Sequence, residues 1–187
     1  KEYPTASANP AHFRALLNEL SLKKNFRPDI IFIDYLNICA SARIKAGANV
    51  NSYTYIKAIA EELRGLAVEN NVPIVSATQT TRSGYSNSDP GLEDTSESFG
   101  LPATADFMFA LVSNEELQNL GQMLVKQLKN RYNDPNLYKR FTIGVDRAKM
   151  KLYDLEAKAQ DSVAQEVESK PVFDRGRSTN KFSGLKV

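Results

Sequence analysis

Residues 30–37 read Ile-Ile-Phe-Ile-Asp-Tyr-Leu-Asn, so four apolar side chains run directly into the carboxylate of Asp34. An apolar run of this length ahead of a polar residue is typical of a strand that is buried on both faces of a parallel sheet. Ligands of such sheets collect at the carboxyl ends of the strands. The stretch therefore predicts an α/β fold in which Asp34 lies at the edge of the sheet, where its charge can face a ligand.

The chain that follows extends this strand into a βαβ unit. A helix is predicted from Tyr53 to about Asn70, and a second apolar strand runs from Val72 to Gln79. A crossover of this kind is right-handed and makes the two strands parallel. The other predicted elements are a short strand over Lys1–Thr5, a helix over Pro10–Leu22, a third buried strand over Ala105–Val112, an antiparallel pair over Gln122–Asn130 and Lys139–Val145, and a last strand over Lys149–Tyr153.

Composition is typical of a soluble globular protein with one core. The 187 residues are 42% hydrophobic and 25% charged, and the net charge of +2 predicts no strongly basic nucleic-acid surface. The single cysteine, Cys39, excludes an intramolecular disulfide framework, which fits the cytosol. The single histidine, His12, argues against a zinc site or a Ser-His-Asp site. No apolar stretch approaches the roughly 20 residues that span a bilayer, so no membrane partner is predicted.

Polar residues at the predicted strand ends are the first candidates for chemistry. Asp34 can hold the magnesium ion of a nucleoside triphosphate, directly or through water, or it can cap the next loop or helix. Gln79 carries both a donor and an acceptor, so it can touch the γ-phosphate or an attacking water, or it can satisfy loop backbone groups. Asp106 borders the same predicted crevice, although its surroundings favour a residue that starts the strand or caps the preceding turn.

Basic side chains are grouped at the predicted hairpin. Lys129 and Arg131 point the same way because the side chains of a strand alternate. Two cations that project together suit a phosphate group, which a guanidinium binds in a bidentate manner. The alternative is a solvated hairpin tip. Arg82, at the start of a long polar segment, is a further basic candidate.

Four ordered motifs within residues 29–153 resemble the DnaB-like hexameric replicative helicases. Residues 30–36 are similar to the Walker B strand of that family, and residues 72–83 (Val-Pro-Ile-Val-Ser-Ala-Thr-Gln-Thr-Thr-Arg-Ser) to its strand that ends in Ser-Gln and is followed by Arg. Residues 94–106 (Asp-Thr-Ser-Glu-Ser-Phe-Gly-Leu-Pro-Ala-Thr-Ala-Asp) resemble its Asp-Leu-Arg-Glu-Ser-Gly segment, which ends in Ala-Asp. Residues 128–131 (Leu-Lys-Asn-Arg) resemble its Lys-x-Arg hairpin. The sequence is most similar to the bacteriophage members of the family.

The resemblance implies the C-terminal half of a RecA-like P-loop NTPase core. Such a core has a mostly parallel sheet with helices on its faces, followed here by a C-terminal antiparallel hairpin. It implies a homohexamer that binds ATP and Mg²⁺ between neighbouring subunits. Asp34 would be the magnesium-linked carboxylate and Gln79 the nucleotide sensor. Arg131 would be the arginine finger that reaches the γ-phosphate of the neighbouring subunit, with Lys129 beside it; such a finger is worth roughly 10³ to 10⁵ in rate.

Single-stranded DNA is the partner that the resemblance implies for the central channel, which residues 83–100 would line. Ser96 stands where bacterial members have Arg, and Phe99 stands where they have Gly. The backbone N–H groups of this stretch can still hold DNA phosphates. Phe99 either stacks on a base or, as the favoured interpretation, anchors the loop in the core. The predicted DNA contacts are Arg82, which would also lie near the nucleotide, and Ser96, Glu97, Ser98, Phe99 and Gly100.

The 187 residues contain no Gly-x-x-x-x-Gly-Lys-Ser/Thr segment, which is the phosphate cradle of a P-loop protein. In the family this segment precedes Walker B by more than the 33 residues that stand ahead of Asp34, and the catalytic glutamate also lies upstream. We therefore expect the chain to come from a longer gene. We also expect that the chain alone hydrolyses no ATP.

The sequence divides into residues 1–155, assigned to the ATPase domain, and a basic tail over residues 156–187 that lacks apolar periodicity. The tail is predicted to be flexible, either as a solvated terminus or as a docking segment for protein or nucleic acid. The resemblance further implies a primase and a helicase loader as partners, in the cytoplasm of a phage-infected bacterium. A RecA-type recombinase fragment and a catalytically silent DNA- or protein-binding module remain alternative hypotheses.

Overall fold

The structure is a computed structural model that describes residues 1–45, 47, 49–80, 90–92, 100–134 and 137–155. Helices and strands are interspersed as far as residue 121, and three consecutive strands follow. In chain order the elements are α1 (Pro10–Lys24), β1 (Ile31–Ile33), the 3₁₀-helix Leu36–Ile38, α2 (Ser52–Asn70), β2 (Ile74–Ser76), α3 (Gly100–Thr104), β3 (Phe107–Val112), α4 (Glu115–Asn119), β4 (Gln122–Asn130), β5 (Arg140–Asp146) and β6 (Lys151–Asp154).

Local sequence explains where the two long helices begin and end. The side chain of Asn9 accepts bonds from the backbone N–H groups of Ala11 and His12 at the start of α1, and the His12 ring closes a capping box. The only histidine is therefore part of a helix cap. Asn51 caps α2 by accepting from Thr54 N–H at 2.8 Å, and each helix stops at an asparagine in the left-handed conformation.

The strands form two sheets. β1 and β2 are a parallel pair with Ile31 opposite Ile74, and β3-β4-β5-β6 are an antiparallel sheet of four strands. The predicted C-terminal antiparallel hairpin is present as β4 and β5. The predicted mostly parallel sheet is not shown, because within the described ranges only β1 and β2 run parallel. The short connection through α4 returns the chain antiparallel, so β3 pairs with β4 rather than with β2.

The main core lies under α2, which packs on the 3₁₀-helix, β2 and α3. Ile59 and Leu66 of α2 are fully buried. Cys39 belongs to the same core, and burial raises the pKa of its thiol, as expected for a small apolar side chain. The buried members of this cluster are Leu36, Cys39, Ile56, Ile59, Ala60, Leu63 and Leu101.

Three details of the predicted strands are wrong. β1 is not buried on both faces, since Phe32 is 71% exposed whereas Ile33 packs against the core. β3 is not fully buried either, because every second side chain of the strand is exposed, namely Phe107, Phe109 and Leu111. Strand side chains alternate, so one face of each of these strands lies open among the described residues. The segment Lys1–Thr5 forms no strand; a turn begins there, and Ser7 N–H donates to Pro4 O.

The predicted basic tail over residues 156–187 lies outside the described residues, so its separation from residues 1–155 stays a prediction. The same holds for most of the polar segment 81–98, of which only residues 90–92 are described. In the described part of the chain, no helix is long and apolar enough to cross a membrane.

Candidate functional site

The carboxyl ends of β1 and β2 lie side by side, as the βαβ prediction required. Leu36 N–H donates to Ala77 O at 3.2 Å, and Ser76 Oγ donates to Ile33 O at 2.8 Å. Beyond the strands, Thr78 Oγ1 and Asn37 Oδ1 are 2.9 Å apart. We name the polar group gathered here the strand-end cluster: Asp34, Tyr35, Asn37, Ser76, Thr78 and Gln79.

Asp34 is exposed directly after β1, and the peptide bond that follows it is cis. Within the described residues, its carboxylate makes no hydrogen bond and no ion pair. The 3₁₀-helix that follows has Tyr35 at its N-cap position and no side-chain cap bond. The capping interpretation of Asp34 therefore receives no support, and both carboxylate oxygens stand open to a ligand.

Gln79 is also exposed, and it lies next to the Asp34 segment. Its Nε2 donates to Tyr35 Oη across 3.4 Å, which is at the long end for such a bond. No described loop backbone group bonds to this side chain. The amide oxygen is therefore available to a ligand, and the weak contact with Tyr35 leaves the side chain free to adjust.

A metal ion would need ligands from outside this cluster. No group of three or more His, Cys, Asp or Glu side chains in the described ranges could hold a metal ion. Mg²⁺ in nucleotide sites is held by one or two carboxylates together with phosphate oxygens and water. Asp34 is the one carboxylate of the strand-end cluster. It suits that role because it is exposed and has no competing cationic partner among the described residues.

A second group of charged residues lies at the junction of α3 and the β4 strand end. We name it the hairpin cluster: Arg64, Asp106, Lys129 and Arg131. Asp106 immediately precedes β3, as the sequence predicted, and its Oδ1 is 2.6 Å from Arg64 Nη1 and 3.2 Å from Arg131 Nε. Arg131 Nη2 donates to Ala103 O at 3.1 Å, and Arg131 N–H donates to Asp106 O at 2.9 Å.

Lys129 points to the same place as Arg131, which confirms the predicted alternation. Its Nζ donates to the carbonyl oxygens of Pro102 and Ala103 in α3. The last carbonyls of a helix have no partner within the helix, so they attract donors of this kind. Burial, followed by the positive charge of Arg131, lowers the pKa of Lys129. The two side chains are therefore not a freely solvated hairpin tip.

Three contributors to this architecture were missed by sequence reasoning. Arg64 is one charged residue among many on α2, and nothing in its spacing singles it out. Glu62, also on α2, accepts bonds from the backbone N–H groups of Ala42 and Arg43. Lys126 is buried in β4, and its Nζ donates to Pro90 O at 2.7 Å. The lysine that directly follows the apolar residues 123–125 was the signal in the sequence that could have indicated it.

The remaining predicted site residues are only in part within the described chain. Arg82, Ser96, Glu97, Ser98 and Phe99 lie outside the described residues. Gly100 is buried as the first residue of α3. In the described ranges, no hydrogen bond or ion pair joins the strand-end cluster to the hairpin cluster. The chain thus carries two separate polar groups, one anionic and amide-rich and one mainly cationic.

The family is established by comparison with known proteins. Residues 4–164 match the DnaB-like helicase C terminal domain. The chain is 50% identical over 167 residues to the DnaB-like replicative helicase of Enterobacteria phage T4, a match that covers 89% of this chain and 34% of that protein. It is 33% identical over 116 residues to a probable plasmid replicative DNA helicase of Chlamydia muridarum, covering 60% and 25% respectively. The chain belongs to the DnaB-like helicase C-terminal domain family.

Solved structures agree on the fold. One solved ATPase domain superposes with a TM-score of 0.63 at 21% identity, covering 80% of this chain and 52% of that one. A DnaB-like replicative helicase, solved in a study of its interactions with primase, superposes with a TM-score of 0.65 at 21% identity, covering 80% and 36%. The fold is therefore that of a RecA-like helicase ATPase domain. The chain spans about a third of the length of its T4 relative.

Proposed function

We propose that this chain is part of an ATP-dependent replicative DNA helicase, which moves along single-stranded DNA and unwinds the duplex at a replication fork. Membership of the DnaB-like helicase family supports this class of activity. Because the chain spans only 34% of the T4 relative, the activity is assigned to the full-length protein. We place that protein in the cytoplasm of a phage-infected bacterium.

The strand-end cluster is the proposed nucleotide side of the site. Asp34 would hold Mg²⁺ bound to ATP, directly or through water, and the metal would neutralise charge on the phosphates. Gln79, with its free amide oxygen, would contact the γ-phosphate or orient the attacking water. The chain itself contains no Gly-x-x-x-x-Gly-Lys-Ser/Thr phosphate cradle. The isolated chain is therefore expected to hydrolyse no ATP.

The observation that carries the proposal is the placement of Arg131. Its side chain is 42% exposed, yet it is held by Asp106 and by a carbonyl of α3. A guanidinium that is both oriented and accessible suits the stabilisation of charge on a transferring phosphoryl group. As the resemblance to the family implies, Arg131, with Lys129 beside it, would act on the nucleotide of the neighbouring subunit in a homohexamer.

The proposed DNA and protein partners are those that membership of the family suggests. Single-stranded DNA would be gripped in the central channel by Arg82, by Ser96, Glu97, Ser98 and Phe99, and by backbone groups up to Gly100. Arg82 would also lie near the nucleotide. A primase is a proposed partner because one of the similar solved helicases was studied with it. A helicase loader completes the set of proposed partners.

The test is single-stranded-DNA-stimulated ATP hydrolysis by the full-length protein carrying Arg131→Ala. We expect a loss of about 10³-fold or more in kcat, the range that removal of an arginine finger produces. Mixtures with wild-type protein should lose more activity than the fraction of variant subunits, because each Arg131 serves a neighbouring subunit. ATP turnover is followed over a series of mixing ratios.

Arg147→Ala is the matched control, because Arg147 is an exposed arginine in the turn between β5 and β6 and makes no described side-chain contact. It should retain wild-type turnover. If Arg131→Ala behaves like Arg147→Ala, no arginine finger acts from this hairpin, and a recombinase-like or purely binding role becomes the better explanation. A strictly proportional loss in mixtures would place Arg131 in its own subunit's site.

A further inference from the structure

Arg131 is held along one edge of its guanidinium group. Nε and Nη2 form one edge of this planar group: Nη2 donates to Ala103 O at 3.1 Å, and Nε lies 3.2 Å from Asp106 Oδ1 as an ion pair that lacks hydrogen-bond geometry. The backbone N–H of Arg131 also donates to Asp106 O. Within the described residues, Nη1 has no partner. The end of the group formed by Nη1 and the second N–H of Nη2 is therefore free to receive an oxyanion.

Asp106 holds more than one cation. Its Oδ1 lies 2.6 Å from Arg64 Nη1, and Arg64 Nη1 also donates to Thr104 O at 2.9 Å. Lys129 lies close enough to Arg131 for their charges to interact unfavourably, which contributes to the lowered pKa of Lys129. Three positive charges thus lie around one carboxylate. Without that carboxylate, Arg64 and Lys129 would repel the Arg131 guanidinium from its present position.

We propose that Asp106 is a positioning residue for Arg131, which fixes the side edge of the guanidinium so that its free end faces a phosphate of the neighbouring subunit. This inference rests on the proposed function above and adds a residue to it. Asp106 contacts no reacting atom. It holds the Arg131 guanidinium in its working orientation before the phosphoryl group moves, so that less reorientation is needed in the transition state.

The test is Asp106→Asn in the full-length protein, which keeps the shape of the side chain and removes its charge. We expect kcat for DNA-stimulated ATP hydrolysis to fall about 10- to 100-fold, the effect of misplacing a catalytic group by about 1 Å. The KM for ATP and the affinity for single-stranded DNA should stay within about twofold of wild type, since positioning acts on the chemical step. Asp106→Glu, which keeps the charge, should recover part of the lost kcat.

Glu69→Gln is the control for a merely structural role, because it removes an ion pair of α2, that of Glu69 with Arg14, which lies outside the hairpin cluster. If kcat follows only the stability of the α2 region, Glu69→Gln lowers it as Asp106→Asn does. Positioning predicts that Glu69→Gln stays within about twofold of wild type. The double variant Asp106→Asn/Arg131→Ala should be no slower than Arg131→Ala alone, because Asp106 acts only through Arg131.

The outcomes separate the two proposals. If Arg131→Ala abolishes turnover while Asp106→Asn stays within twofold of wild type, the positioning role is overturned and the finger stands. A further loss in the double variant, or an equal loss in Glu69→Gln, would also overturn it. If Arg131→Ala itself retains full turnover, the proposed function has failed, whatever Asp106→Asn does. Circular dichroism and melting curves of each variant identify any loss that reflects misfolding.

Discussion

The strand-end cluster and the hairpin cluster present polar side chains in opposite ways. Asp34 and Gln79 stand exposed, and within the described residues their side chains make a single polar contact, from Gln79 to Tyr35 at 3.4 Å. Asp106 pairs with Arg131, and both Lys129 and Arg131 donate to carbonyl oxygens of α3. Each cluster follows or precedes a strand, so strand position alone does not produce the difference.

The difference lies in what completes each cluster. The hairpin cluster contains charges of both signs, and the carbonyls of α3 supply further acceptors, so its geometry is set within the chain. The strand-end cluster has one carboxylate and no described cation. A ligand that brings positive charge and oxygen atoms would complete it. A preorganised cationic group and an open anionic one suit the proposed site, in which each half would come from a different subunit.

The first prediction breaks the open cluster. Asp34→Asn in the full-length protein should lower DNA-stimulated ATP turnover at least about 100-fold, because a metal-held phosphate contributes several kcal/mol to transition-state stabilisation. Turnover is measured across a Mg²⁺ titration. Asp29→Asn, an exposed carboxylate ahead of the same strand, is the matched control and should remain active. Equal activity of both variants would mean that Asp34 has no role in metal binding.

The second prediction contrasts Asp34 with a carboxylate that does hold the backbone. Glu62 is 9% exposed at its side chain and accepts bonds from Ser41 Oγ and from the N–H groups of Ala42 and Arg43. Glu62→Gln should reduce the free energy of unfolding by about 1–3 kcal/mol at pH 7, as expected when a buried acceptor is lost. Urea unfolding provides the measurement. Glu61→Gln, more exposed on the same helix, should cost well under about 1 kcal/mol.

The same substitution has a defined pH dependence. Burial alone raises the pKa of Glu62, but the bonds from Ser41, Ala42 and Arg43 together outweigh burial and lower it below 4.5. The unfolded chain therefore binds the proton more readily than the folded one. The stabilisation is complete above pH 4.5 and is lost as the pH falls through the lowered folded-state pKa. The gap between wild type and Glu62→Gln should accordingly close in acid; a gap that widens would contradict this account.

The smallest expected effect is on stability, by which the two clusters can be compared directly. Asp106→Ala should lower the urea midpoint of the chain, because it leaves Arg64 and Arg131 without their shared carboxylate. These groups are partly exposed and screened by solvent, so the loss should be less than half that of Glu62→Gln. Asp34→Ala should leave the midpoint unchanged, since Asp34 has no described partner. A midpoint that falls equally in both variants would remove the contrast between the clusters.

Short-range patterns predicted the helices well. The apolar spacing of α2 and the asparagine ahead of it set both its position and its cap, and the strand-helix-strand order set the parallel pairing of β1 with β2. Local spacing also predicted that Lys129 and Arg131 point the same way. These features depend on neighbours in the chain, so the sequence carries them directly.

Long-range pairing was less accessible. β3 was predicted to be buried beside the parallel strands, but it pairs antiparallel with β4 and exposes Phe107 and Phe109. An apolar strand has the same sequence pattern whether one or both of its faces are covered. That pattern also does not indicate which strand it pairs with. The burial of Phe32 was overestimated for the same reason.

By itself, the sequence determined the class of protein, the order of the elements and the residue types that carry the proposed chemistry, because motifs and periodicity are local properties. Only the tertiary structure decided which of these residues have partners. Arg64 and Asp106 are far apart in the chain, yet they meet because α2 packs against α3. Such a contact depends on packing between elements, and no spacing within either element encodes it.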